Sequence, residues 1–198
     1  MVTARARLAR SEARWMDHDL VAAARRGDER AFMDLIRPRS NQLFGIAVHI
    51  LRDLDRAEDA LQDALVIAWR DLRGLRDPDR FDAWLRRLLV NVCIRQASRE
   101  RRRAVNLRVM PVDGPAAPDD LLSIADRDQL ERGFRRLPPE QRAILVVHHF
   151  LGYAPSEIAE TLGIPPGTAR SRLYNAHRAM RAALEADARL TVVEGRSA

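Results

Sequence analysis

The stretch "SEIAETLGIPPGTARSRLYNAHRAM", residues 156–180, decides the fold of the second half of the chain. A short apolar pattern ends at Gly163, a residue suited to the left-handed conformation that terminates helices, and a second helix begins at the following prolines. This layout is typical of a helix-turn-helix. Three apolar residues of the first helix are expected to face inward: Ile158, Ala159 and Leu162.

The second helix of this pair has two different faces. A helical period places five apolar residues in one stripe, which predicts a buried seam of Ala169, Leu173, Ala176, Met180 and Leu184. The opposite face carries Arg170, Ser171, Tyr174, His177, Arg178 and Arg181. Because the small residues Gly167 and Thr168 leave the helix start open to a phosphate, we interpret this face as one that reads duplex DNA. A solvated helix surface in an arginine-rich protein is the alternative.

The composition indicates an all-α protein with an anionic partner. The chain has 198 residues, of which 46% are hydrophobic and only 5% aromatic, a balance that favours helices over a β-sandwich. The formal net charge is +6, and every basic residue is arginine. Seven arginines and one glutamate lie between Arg86 and Arg103, a clustering that points to a polyanion, although a solvated helix surface would also explain it.

The single cysteine, Cys93, excludes an intrachain disulfide and indicates a reducing compartment. Its apolar neighbours favour a packing role over redox chemistry. No apolar run approaches the length of a membrane span, so we expect a soluble, cytoplasmic protein without membrane insertion.

Breaks in the helical pattern predict two domains. About four helices are expected in the first domain, residues 17–103, and four helical segments in the second, residues 124–186. Residues 104–123 hold three prolines and a glycine without a sustained period, and we interpret them as a flexible linker. Residues 1–16 are an N-terminal extension, and residues 187–198 are a C-terminal tail.

Within the first domain, "AEDALQDALVIAW" (57–69) combines an apolar stripe with a polar flank. The stripe contains Ala57, Leu61, Ala64, Leu65, Ala68 and Leu72, and the flank contains Glu58, Asp59, Gln62 and Asp63. The next helix is expected to begin near Pro78, in "RGLRDPDR" followed by "FDAWLRRLLVNV".

Three motifs in this order resemble one family. "AEDALQDALVIAW" is similar to region 2.2 of bacterial extracytoplasmic-function (ECF) sigma factors of the sigma-70 family, and the helix that contains "FDAWLRRLLVNV" resembles regions 2.3 and 2.4. The stretch from Leu137 to Met180 is similar to region 4. The resemblance covers residues 17–184 and implies two small helical domains, sigma region 2 and sigma region 4, with no catalytic activity and no cofactor or metal.

The resemblance also implies three binding surfaces and three partners. The partners are core RNA polymerase, through its β′ clamp helices and β flap, promoter DNA, and an anti-sigma factor. The residues implied for the β′ clamp helices are Asp59, Gln62 and Asp63. Those implied for the minus-10 element are Arg73, Arg76, Asp77, Arg80, Arg86, Arg87, Asn91 and Arg95. Those implied for the minus-35 element are Thr168, Arg170, Ser171, Tyr174, Asn175 and Arg178.

Several positions depart from the family pattern, so the promoter sequence does not follow from the resemblance. Leu89, Arg95 and Asn175 differ from the usual residues, and Ala154 replaces the usual serine cap of the first helix in the helix-turn-helix. Trp69, Phe81 and Trp84 lie at positions that predict core packing, so we do not assign base stacking to them.

Two other classes of function fit parts of the sequence. The first is a stand-alone helix-turn-helix regulator, for which the flank at Asp59, Gln62 and Asp63 would have no role. The second is an enzyme, for which the candidates are few: a glycine-rich phosphate loop is absent, and the pair His148 and His149 lacks a third metal ligand at a suitable spacing. We expect one of these histidines to be packed and the other to lie on the surface.

Overall fold

The computed structural model describes the backbone of residues 17–107 and 124–194 and the side chains of residues 17–100 and 129–186. Every regular element in these ranges is helical, which confirms the all-α prediction. The extension 1–16, residues 108–123 of the predicted linker and residues 195–198 lie outside the described residues. A search of the described helices finds none with the length and apolar character of a bilayer span.

The first domain contains five α-helices where about four were predicted. They are α1 (17–25), α2 (Glu29–Ile36), α3 (Ser40–Leu51), α4 (Leu54–Asp71) and α5 (Phe81–Leu107), with 3-10 turns at Arg37–Arg39, Leu72–Gly74 and Pro78–Arg80. Gly27 and Asp28 separate α1 from α2 and so account for the fifth helix. Gly27 has a φ of 99°, and the Asp28 carboxylate accepts a hydrogen bond from the Arg30 backbone N–H at 2.9 Å.

The apolar stripe of α4 lies in the core of the first domain. Its alanines, at positions 57, 60, 64 and 68, are fully buried and let α4 approach α3 and α5 closely. Cys93 of α5 is also fully buried, and this burial raises the pKa of its thiol to about 12. The prediction of a packing role for Cys93 is therefore confirmed.

The second domain contains four α-helices, as predicted. They are α6 (Ile124–Arg136), α7 (Pro139–Leu145), α8 (Pro155–Leu162) and α9 (Pro166–Glu194), and a π-helical turn at Val146–Phe150 follows α7. Two helices extend beyond the predicted domain limits: α5 continues through residues 104–107 and α9 through residues 187–194. No proline or glycine occurs before Pro111 or Gly195 to stop them. The exact domain limits stay predictions.

The turn between α8 and α9 is built around Gly163. Its φ of 65° places it in the left-handed region, and the Ile164 backbone N–H donates to the Ala159 carbonyl at 3.0 Å. At the start of α8, Ala154 has no side-chain cap, but the Glu157 carboxylate accepts a hydrogen bond from the Ala154 backbone N–H at 2.7 Å. Both ends of this short helix are therefore fixed.

The two domains pack against each other, with α7 and α8 of the second domain lying on α3 and α5 of the first. Arg52, at the end of α3, is buried and forms an ion pair with Glu131 of α6. Arg52 has a φ of 62° and is the one residue other than glycine with a positive φ among the described residues. Because an arginine is strained in this conformation, we infer that the ion pair across the domains compensates for the strain.

The interface also contains hydrogen bonds and an aromatic pair, beside buried apolar residues of both domains that form one cluster. The Ser98 hydroxyl donates to the Glu140 carboxylate at 2.8 Å, and the rings of His49 and Phe150 lie 5.0 Å apart. Burial lowers the pKa of Arg52 to about 10, and it lowers the pKa of Arg142 to about 10 with the help of the Arg52 charge. The interface therefore contains buried guanidinium groups that repel each other, so nearby carboxylates are needed to balance their charge.

The Gly163 turn predicts a stability difference between two glycines. We expect Gly163→Ala to lower the free energy of unfolding by about 1 kcal/mol, because alanine must adopt the left-handed conformation. Gly167→Ala, in the first turn of α9 with open space around its Cα, should leave stability unchanged or raise it by up to about 1 kcal/mol. Urea unfolding followed by circular dichroism measures the free energy of unfolding of both variants. Equal changes in the two variants would contradict the role of the left-handed turn.

The ion pair between Arg52 and Glu131 predicts that one substitution loosens the domain interface. Glu131→Gln leaves the Arg52 guanidinium buried without its carboxylate, at a cost of about 3 kcal/mol or more. Small-angle X-ray scattering should show a larger radius of gyration, while circular dichroism shows unchanged helix content. The matched control is Glu100→Gln, which removes a half-exposed pair with Arg56 inside the first domain and should not change the radius. An unchanged radius in Glu131→Gln would disprove the role of this pair.

Candidate nucleic-acid and polymerase interfaces

The first turns of α9 present one exposed face. Ala169 and Ala176 are fully buried, Leu173 and Met180 are nearly so, and Leu184 is half-buried. The predicted seam is therefore confirmed. The opposite face holds the exposed residues Arg170, Ser171, Tyr174, Asn175, His177, Arg178 and Arg181.

Tyr174 and Thr168, near the start of α9, differ in how exposed their side chains are. Tyr174 is 67% exposed, so its ring and hydroxyl are both available to a partner. Thr168 is half-buried, and its backbone carbonyl accepts a hydrogen bond from the Ser171 hydroxyl at 3.0 Å. Arg170, Tyr174 and Arg178 are therefore best placed to contact a partner, and they lie one turn apart along the helix.

The polar flank of α4 is also exposed. Asp59, Gln62 and Asp63 lie on one face, where the Gln62 amide donates to Glu58 at 3.4 Å and Asp63 accepts a hydrogen bond from Gln96 of α5 at 3.1 Å. Asp59 projects from this face toward solvent.

Val66, which the sequence did not single out, lies on the same face of α4. Val66 is 68% exposed, seven residues after Asp59 and three after Asp63, which places it beside these carboxylates on the helix surface. An exposed apolar residue bordered by charged groups is typical of a protein–protein interface. The signal in the sequence was a valine at a position that the apolar stripe does not use.

The loop before α5 carries four of the predicted minus-10 residues. Arg73, Arg76, Asp77 and Arg80 are all exposed. The Asp77 carboxylate caps the 3-10 turn by accepting the Asp79 backbone N–H at 3.0 Å, and it lies 3.6 Å from Arg80. Asp77 therefore shapes the loop, and the arginines supply its positive charge.

Two further arginines, which the sequence analysis did not select, lie beside this loop. Arg25 and Arg26 at the end of α1 line an open cavity of about 380 Å³ together with Ala22 and Arg73. The Arg25 guanidinium donates to the Arg73 backbone carbonyl at 3.5 Å. The adjacent arginines in "RRGD" were visible in the sequence, but only the packing of α1 against the loop brings them to Arg73.

The predicted minus-10 residues of α5 are placed differently. The Arg86 guanidinium donates to the Tyr153 hydroxyl at 3.3 Å, and the Asn91 amide donates to the Thr161 backbone carbonyl at 3.4 Å. Arg87 is exposed, with its guanidinium next to Gly163, and Arg95 is exposed about two turns further along α5. The second domain thus covers Arg86 and Asn91 and leaves Arg95 open.

The aromatic residues of this region take the predicted packing role. Phe81 is buried, and the half-buried ring of Trp84 lies 6.0 Å from it. Trp69 packs against Phe32 with ring centroids 5.2 Å apart.

One prediction about the histidines is wrong. His148 is half-buried and His149 exposed, as expected, but the pair does have a third histidine nearby. His177 of α9 lies with its Nε2 atom 2.8 Å from the Nε2 atom of His149. The sequence did not reveal this partner because it is 28 residues away along the chain.

Comparisons with family models match both domains. Residues 35–103 match the model described as Sigma-70 region 2, and residues 127–180 match the model described as Sigma-70, region 4. The protein named ECF RNA polymerase sigma factor SigM from Mycobacterium tuberculosis is 35% identical over 168 residues, covering 81% of this chain and 80% of that protein. RNA polymerase sigma-H factor from Pseudomonas aeruginosa is 30% identical over 181 residues, covering 85% and 94%.

Two solved structures are also similar. CnrH, in complex with the cytosolic domain of CnrY, matches with a TM-score of 0.59 and 29% identity, covering 87% of this chain and 99% of that chain. RpoE, in complex with the anti-sigma factor NepR from Bartonella quintana, matches in fold with a TM-score of 0.62 and 23% identity, covering 79% and 98%. The order of the two domains, their helical fold and these relatives agree: the chain belongs to the extracytoplasmic-function group of sigma-70 family sigma factors, and it acts in transcription initiation and not as an enzyme.

Proposed function

We propose that this sigma factor binds core RNA polymerase and the two promoter elements through three separate surfaces. The face of α4 with Asp59, Gln62 and Asp63 binds the β′ clamp helices of core RNA polymerase. The loop before α5 and the exposed side of α5 bind the minus-10 element, and the start of α9 reads the minus-35 element. The observation that carries this proposal is the exposed face of α9, because its seam fixes which side chains can reach a DNA groove.

The α4 surface is suited to a basic partner. Exposed carboxylates steer the approach of a positively charged coiled coil, and the exposed Val66 beside them can be buried in the complex. The β flap is the expected partner of the second domain. The chain works in the cytoplasm, where core RNA polymerase is found.

The minus-10 surface combines exposed and covered residues. Arg73, Arg76, Arg80 and Arg95 can contact the backbone of a single strand, and the cavity next to Arg25 can hold part of a nucleotide. Arg86 and Asn91 can reach DNA only after their contacts with the second domain are broken. We therefore propose that the two domains separate when the protein binds polymerase and promoter.

An anti-sigma factor is the proposed regulator. CnrH and RpoE are described in complexes with CnrY and with the anti-sigma factor NepR, and this chain shares their fold. A regulator that covers α4, α5 or α9 would compete directly with polymerase or promoter. The interface between the two domains includes hydrogen bonds and an ion pair that such a regulator or the polymerase would have to break.

The α4 surface predicts a loss of polymerase binding on charge reversal. We expect Asp59→Arg to weaken binding to core polymerase by about tenfold or more, because an added cation repels a basic coiled coil. Fluorescence titration with labelled core polymerase measures the affinity, and run-off transcription from promoters of its own genome measures the activity. The control is Asp34→Arg, an exposed acidic residue on α2, which should bind normally. If Asp59→Arg binds and transcribes like the unaltered protein, α4 is not the docking surface.

The α9 face predicts different roles for two arginines. Arg170→Ala should weaken discrimination at one minus-35 base pair by about 1 to 3 kcal/mol, because a side chain in the first exposed turn can reach a base edge. Arg178→Ala should lower affinity for all sequences alike and reduce the salt dependence, as expected of a phosphate contact. Anisotropy titrations of matched and mismatched promoter duplexes at several salt concentrations measure both. If both variants lose affinity for matched and mismatched duplexes equally, α9 binds DNA without discriminating between base pairs.

A further inference from the structure

Three histidines from two elements meet on the surface of the second domain. His148 and His149 lie in the π-helical turn after α7, and His177 lies on α9. Each ring offers one nitrogen, and these three nitrogens all lie within 4.8 Å of one another. They are three of the five histidines in the chain, and π-helical turns are often found at functional sites.

The hydrogen bond of His148 leaves one of its nitrogens available. Nδ1 of His148 lies 2.8 Å from the Tyr153 backbone carbonyl, which can only accept. Nδ1 therefore carries the proton, and Nε2 keeps its lone pair. A backbone carbonyl that orients the far nitrogen of a ligating histidine is the usual outer-shell arrangement at metal sites.

His149 and His177 form a hydrogen-bonded pair in which the two Nε2 atoms lie 2.8 Å apart. One proton at most can lie between them, and without it two lone pairs point at each other. A metal ion can take the place of that proton and accept both lone pairs. Tetrahedral zinc, with Zn–N bonds near 2.0–2.1 Å, needs ligand nitrogens about 3.3 Å apart. The two Nε2 atoms, 2.8 Å apart, therefore have to separate by about 0.5 Å, and nitrogens up to 4.8 Å apart have to approach by up to about 1.5 Å.

The surroundings favour neutral imidazoles, which are the form that binds metal. Partial burial lowers the pKa of His149 and of His177, and the charges of neighbouring histidines and of Arg181 act in the same direction. Among the described residues the cluster contains imidazoles and no carboxylate. A set of three imidazoles suits zinc, copper, nickel or cobalt, and does not suit magnesium or calcium.

We propose that His148, His149 and His177 form a binding site for one divalent transition-metal ion, of which Zn²⁺ is the representative. The bound ion would link the turn after α7 to the middle of α9, next to Arg178, and its fourth position would be open to water. His177 shares the exposed face of α9 with the proposed minus-35 surface, but the site rests on the geometry of the three imidazole rings, so failure of the polymerase and promoter proposals would leave it standing.

Isothermal titration of the full, untagged chain with ZnCl₂, after treatment with a chelator, tests the site. We expect one ion per chain, and a higher melting temperature when zinc is present. His149→Gln and His177→Gln should each weaken binding by about tenfold to hundredfold or more and abolish the shift in melting temperature. The matched control is His18→Gln, which alters a histidine of α1 paired with Asp79, and it should bind zinc like the unaltered chain.

A second measurement identifies the ligands directly. With Co²⁺ in place of Zn²⁺, the unaltered chain should show visible absorption bands of a site with nitrogen ligands, and these bands should be lost in both cluster variants and kept in His18→Gln. Circular dichroism checks that the variants fold. The proposal is wrong if the unaltered chain binds no zinc, or if the two cluster variants bind zinc and cobalt as it does.

Discussion

The burial of one apolar stripe on α9 is the constraint on which the second domain depends. Ala169, Leu173, Ala176 and Met180 pack against α6, α7 and α8, and this contact fixes the rotation of α9 about its own axis. A helix rotated by one residue, about 100°, would bury arginine and expose leucine. The same rotation decides which side chains face outward and brings His177 to His149. The proposed DNA surface and the proposed metal site therefore follow from the same packing.

The interface between the domains has a different physical character. It combines a buried ion pair, hydrogen bonds and arginines that repel each other with a buried apolar cluster to which both domains contribute. The ion pair makes the geometry of the interface specific, while its own net contribution to stability is limited by the cost of desolvating both charges. A closed arrangement of this kind suits a protein whose partners must reach residues on both domains. The ion pair also explains why position 52 holds an arginine in a strained backbone conformation. A glycine there would avoid the strain, but it would have no side chain to pair with Glu131.

Sequence patterns predicted most of the helices and both faces of α9, because helical periodicity is a local property of the chain. The left-handed turn at Gly163 and the proline at the start of α9 were also readable, since each follows from the conformational limits of one residue. The number of helices in the first domain was less predictable. A break between two helices and a bend within one look alike until capping contacts such as that of Asp28 are seen.

The sequence by itself determined the two all-α domains, the buried seam of α9, the exposed flank of α4 and the family resemblance, because these depend on residue type and on spacing within one helix. Only the tertiary structure decided which distant residues meet. It paired Arg52 with Glu131, covered Arg86 and Asn91, placed Arg25 beside Arg73 and added His177 to His148 and His149. These contacts join residues of separate elements, so they depend on how whole helices pack against each other, which no local pattern of the chain encodes.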